Sequence, residues 1–186
     1  MKKKKKKKKI TYKDLVLLEP CYQPKEIGIK SNYSATIPEF IREYRDKVKN
    51  TKDIILVLCR KDHMTERDMR LFAVWCAREA LKLIDNLNPI SIPACDVAEK
   101  YIRGETNTEK LNLARARVEN TLFNNSWWDS TVDVRLAKKA ILTATDRDVY
   151  EIVVFITEET LKIADAAGVR NVAKDAQIDK LLTYFE

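Results

Sequence analysis

The sequence predicts an all-α fold: a single-domain bundle of about nine helices around one buried central helix. Three observations carry this. Three Gly and five Pro in 186 residues are too few for the tight turns of an all-β domain. Helix-forming residues dominate the remainder. Apolar residues also recur at helical spacing along most of the chain, most densely in the run T-E-R-D-M-R-L-F-A-V-W-C-A-R that starts at Thr65.

That run defines the central helix, expected over residues 65–84. Thr65 caps it, and Glu66 and Asp68 lie in its first turn, at the positive end of the helix dipole. Met69, Phe72, Ala73, Cys76, Ala77, Ala80, Leu83 and Ile84 share one broad face. Leu71, Val74, Trp75 and Leu81 extend apolar character over much of the rest, leaving a strip to Arg67, Arg78 and Lys82. A helix this apolar is buried by several neighbours. Trp75 is therefore expected to pack between helices, and Arg78 to pair with Asp96 or Glu99 on the next helix.

The other elements follow in order. Residues 1–9 are a lysine tail, expected to be disordered because its charges repel and nothing in it can be buried. Residues 10–186 form one α-helical domain, with N-terminal helices and a loop over 10–62 packing on 65–186. A short helix spans 10–19 and stops at Pro20. Residues 21–35, with Pro24, Gly28, Ser31, Asn32 and Ser34, read as loop. Thr36-Ile37-Pro38-Glu39 is a capping box with proline in the first turn. Thr51 caps the next helix; its apolar run at 54–59 also fits a buried strand, but no partner strand is evident. After a turn at 85–89, Ser91 and Pro93 start a helix that runs to Arg103, with Ala94, Val97, Ala98, Tyr101 and Ile102 inward and Gly104 as its stop. Thr108 opens a helix with Leu111, Leu113, Ala114 and Val118 inward, broken or kinked at 124–126. Helices over 127–143, 146–167 and 171–185 complete the chain, with Gly168 between the last two. No β-sheet is expected.

The net charge of +7 comes from the tail. Lys2, Lys3, Lys4, Lys5, Lys6, Lys7, Lys8 and Lys9 are eight of the 35 basic residues, so the body carries 27 against 28 acidic ones. The tail reads as a solubilising low-complexity segment, with a phosphate-gripping arm for nucleic acid or an anionic membrane surface as the alternative. Four cysteines without paired spacing suit a reducing, cytoplasmic setting. Nothing approaches the roughly 20 apolar residues of a membrane span. The short apolar stretch after the lysines does not make a secretory signal.

The segment R-D-M-R-L-F-A-V-W-C-A-R, followed by A-C-D-V-A-E-K-Y-I-R-G-E-T-N-T-E-K-L, resembles an uncharacterised family of small helical bacterial and phage proteins, part of which carries the label of immunity proteins. The start T-Y-K-D-L-V-L-L-E-P-C-Y and the end A-Q-I-D-K-L-L-T-Y-F-E look like that family's beginning and end. The chain departs from it at 121–128, where family members carry alanine-rich helices. The resemblance implies an α-helical fold and brings no activity or catalytic residues.

Few residues suggest chemistry. His63 is the only histidine and lies four residues after Cys59. With Cys76 and Cys95 these would make a three-cysteine, one-histidine zinc set. The spacing is not that of a finger or ribbon, so the residues read instead as apolar-site thiols and a helix-end histidine. Asp96, Glu99, Glu105 and Glu109 read as solvated or paired with Arg70, Arg78 and Arg103. Gly28, Gly104 and Gly168 stand alone, so there is no glycine-rich phosphate loop. No cofactor is implied. Trp127 and Trp128 are adjacent and point about 100° apart. Either one ring is core and the other a binding anchor, or both fill gaps between helices. Taken together, the sequence points to a non-enzymatic protein that binds a partner protein, immunity- or inhibitor-type. A nucleic-acid-associated protein acting through its lysine tail is the alternative, and an enzyme of unknown chemistry the second.

Overall fold

The structure is a computed structural model that describes residues 9–18, 23–47, 51–58, 63–124, 132–146 and 148–185. It is all-α: the described residues hold nine α-helices, one short 3-10 helix and one two-stranded ribbon. They divide into two compact units, Met1–Thr65 with Asp175–Glu186, and Glu66–Lys174.

The first unit is built on a ribbon that the sequence did not announce. Strand β1 (Lys9–Thr11) pairs antiparallel with β2 (Ser34–Thr36), with Ile10 opposite Ala35. This overturns the expectation of no sheet and places Lys9 in a strand. Each strand has three residues, too few for an alternating pattern to register. Each also runs straight into a helix, α1 (Tyr12–Leu17) and α2 (Ile37–Tyr44). The last strand residue doubles as the helix cap, because an N-cap needs extended backbone. Thr11 N–H donates to Asp14 Oδ2 at 2.9 Å, and Thr36 N–H donates to Glu39 Oε2 at 2.7 Å. Hydrogen bonding to Thr11 holds the Asp14 carboxyl below the usual carboxylate range. Between the strands, Pro24–Ile27 forms the 3-10 helix where a loop was expected. Tyr33, Phe40 and Tyr44 pack edge-on or tilted, with centroids 5.4 to 6.4 Å apart. Helix α3 (Thr51–Leu58) buries Ile54, Ile55 and Leu58, so the apolar run that also fitted a strand is helical. Arg45 donates to Asp175 and Asp179, one turn apart on α9 (Arg170–Leu182), at 3.1 and 2.9 Å.

The second unit is a helical bundle around α4 (Glu66–Leu81), as the sequence predicts. Around it lie α5 (Ser91–Arg103), α7 (Val132–Thr143) and α8 (Val149–Ala166), with α6 (Thr108–Asn124) outside, against α5 and α7. α4 packs most closely on α8. The reason is local: Ala73, Cys76, Ala77 and Ala80 are fully buried and short, so a neighbouring backbone can approach. The buried Thr160 Oγ1 on α8 shares its proton between the Ile156 carbonyl of its own helix at 2.8 Å and the Cys76 carbonyl of α4 at 3.1 Å.

Trp75 is less covered than the core aromatics of its unit. It is half-buried, stacked on Phe72 with centroids 6.2 Å apart, whereas Phe72 itself is fully buried. On the helical wheel Trp75 falls on the same strip as Leu71, Arg78 and Lys82, all partly or fully exposed. Arg78 does pair as anticipated, with Asp96 at 2.5 Å and Glu99 at 3.0 Å. Gly104 closes α5 in left-handed backbone at φ 76°, a conformation only glycine adopts freely.

Two polar anchors hold the bundle's corners. Asp133, in the first turn of α7, is 1% exposed; its Oδ2 accepts from Asn88 N–H at 2.7 Å and Ser91 Oγ at 2.8 Å. It thereby ties the entry of α5 to α7. Arg70 on α4 donates to the backbone carbonyls of Thr143 and Asp146, at the turn from α7 to α8.

Candidate functional site: an apolar groove between two helices

In the second unit a groove of about 370 Å³ lies between α5 and α6, within the usual size range of ligand pockets. One wall is Pro89, Ile90, Pro93, Ala94 and Val97; the other is Lys110, Leu113, Ala114, Arg117 and Val118. Pro93, Ala94 and Val97 form one stripe of α5, with Pro89 and Ile90 just before its first turn, and the five residues of the other wall recur at three- and four-residue spacing on α6. Leu113 is 54% exposed, and Ile92 beside it in sequence to Pro93 is 47% exposed. Leu113 was expected to face inward. α6 has room for only a narrow inward face, and Leu111, Val118 and Leu122 occupy it.

The charge of the groove is one-sided. Lys110 and Arg117 line it and no carboxylate does. Both are exposed, and among the described residues neither side chain makes an ion pair. The nearby cations differ. Arg78 is held by Asp96 and Glu99, and Arg103 by Glu99 at 2.8 Å. Of the four carboxylates weighed in the sequence, Asp96 and Glu99 are thus ion-pair partners.

The other candidate residues fall elsewhere. Cys59, Trp127, Trp128 and Lys2 to Lys8 lie outside the described residues. His63 is half-buried in the first unit. Cys76 and Cys95 are fully buried in the second. Burial pushes the Cys95 thiol up to about 12 against the opposing charge of Arg78, so at neutral pH it is a protonated, poorly nucleophilic group. Among the described residues no three His, Cys, Asp or Glu side chains gather as a metal site, and no described helix is long and apolar enough to cross a membrane.

The fold and groove together define an all-α protein with an open, basic-edged apolar cleft. No family model, curated protein or solved structure matches the chain. The groove residues carried one sequence signal. On the α6 stripe two cations, Lys110 and Arg117, bracket the apolar Leu113 and Ala114.

Proposed function

We propose that this chain is a non-enzymatic protein-binding protein, immunity- or inhibitor-type, in a bacterial or phage setting, with the α5–α6 groove as its docking surface. The observation that carries the reading is the groove itself: an apolar cleft walled by two helices, left open, with Leu113 more than half exposed inside it. Apolar surface that a fold leaves uncovered and rims with charge is the usual form of a partner site. The resemblance to helical proteins labelled as immunity proteins supports the role. The experiment is co-expression with the product of a neighbouring gene. Wild type should form a stoichiometric complex and relieve any toxicity of that product. Leu113→Glu should lose both while keeping its melting temperature. A complex that survives Leu113→Glu moves the docking surface elsewhere.

A second reading rests on the lysine run, Lys2 to Lys9. It would grip nucleic-acid phosphates without reading sequence. Deleting residues 2–8 should then abolish a salt-sensitive mobility shift, and a shift that persists would exclude the tail.

A further inference from the structure

We infer that the α5–α6 groove takes an acidic amphipathic α-helix of a partner protein, two of whose carboxylates, two turns apart, meet Lys110 and Arg117. The inference rests on the docking reading above and names what docks. Three observations lead to it.

The first is shape. Both walls are built on helical stripes, Pro93, Ala94 and Val97 of α5 facing Lys110, Leu113, Ala114 and Arg117 of α6. The backbone behind them is hydrogen-bonded within its own helices, so the groove offers no edge to an added strand. A third helix is the element whose side-chain ridge fits between two others. From Lys110 to Val118 the stripe runs roughly 12 Å, a little over two helical turns.

The second is charge. Lys110 and Arg117 are seven residues apart on one face, roughly 10 Å along the axis. A helix lying along the groove repeats at the same interval, so carboxylates at i and i+7 reach both cations together. Neither cation is answered by a carboxylate among the described residues, whereas Arg78 and Arg103 are.

The third is what the groove disfavours. A second copy docking the same face across a two-fold axis brings Lys110 and Arg117 against their own equivalents. A single-headed anionic amphiphile answers one cation and leaves the other.

The test uses the full chain and three synthetic peptides of about 18 residues, long enough to reach the helical state on binding. Each carries leucines at i, i+3, i+4 and i+7. They differ at two flanking positions seven apart, which are both Glu, both Gln or both Lys. Fluorescence anisotropy is expected to show the Glu peptide binding about tenfold more tightly than the Gln peptide, with the gap closing at high salt. The K110E/R117E variant should reverse the order and prefer the Lys peptide. Equal affinity for the Glu and Gln peptides, or K110E/R117E behaving as wild type, overturns the inference. It is equally overturned if anionic vesicles or laurate, but no peptide, bind in a way that Leu113→Glu abolishes, or if the groove proves to mediate self-association. The docking reading fails separately, when the partner complex of the preceding section survives Leu113→Glu. A complex lost in Leu113→Glu yet intact in K110E/R117E keeps the docking surface and removes the acidic helix.

Discussion

Helices α4 and α6 have nearly equal lengths, 16 and 17 residues, and opposite fates. α4 is packed by α5, α7 and α8, and buries Met69, Phe72, Ala73, Val74, Cys76, Ala77, Ala80 and Leu81. α6 meets chiefly α5 and α7, and buries Leu111, Val118 and Leu122. Both carry abundant apolar residues. The number of neighbouring helices decides how many of them are covered, and α6 has too few to cover Leu113. The same chemistry that makes α4 a core makes α6 one wall of a groove.

Substitutions can break or sharpen this contrast. The largest effect is expected at Phe72, fully buried on α4: Phe72→Ala should cost about 3–5 kcal/mol in denaturant unfolding. A loss below 1 kcal/mol would mean that α4 is not the centre of its unit. Asp133→Ala should cost about 2–3 kcal/mol, because Ser91 and Asn88 lose a buried acceptor and are left with unmet donors. Asp133→Asn should recover part of that, since its amide oxygen can still accept. Trp75→Ala, stacked over Phe72 but only partly buried, should cost about 1–2 kcal/mol, less than a core aromatic. A cost equal to that of Phe72→Ala would restore Trp75 to the core. Leu113→Ala should fall within about 0.5 kcal/mol of wild type, as surface substitutions do. A large loss there would show the groove to be interior, and the contrast between the two helices would disappear.

What was legible in the sequence was local. Thr36 with Glu39, and Gly104 after Arg103, mark element ends through chemistry within a few residues, and the structure places those ends accordingly, as it does the starts at Ser91 and Thr108. The Arg78 pairs were legible because one short turn links the two helices that carry them. The β1–β2 ribbon was not, since it joins two three-residue segments with α1 and a 3-10 helix between them. The partial exposure of Trp75 follows from the wheel, which sets its indole beside Arg78 and Lys82. The groove stayed hidden for the reason that separates α4 from α6. Leu111 and Leu113 are the same residue type, two positions apart, at 0% and 54% exposure. Only the number and place of neighbours distinguishes them, and that is a property of the assembled unit.

The Arg70 anchor bears on the order in which the chain is made. α7 ends in Thr143-Ala144-Thr145, with no glycine to close it. Backbone N–H groups that follow it reach the Ile141 and Leu142 carbonyls, and the Thr143 and Asp146 carbonyls are held by a guanidinium 73 and 76 residues earlier. On a ribosome α4 is synthesised first, so the donor already exists when the carbonyls it will hold emerge. The α7–α8 corner can then set as it appears, provided α4 has stayed accessible. A chain permuted to begin at α5 would make the same corner with its clasp still unmade, and the last turn of α7 would fray until α4 arrived. In the native protein the analogue of that state is Arg70→Gln. Amide exchange at Thr145 and Asp146, whose N–H groups donate to the Leu142 carbonyl at 3.0 and 2.8 Å, should quicken in that variant while exchange in the middle of α7 stays slow.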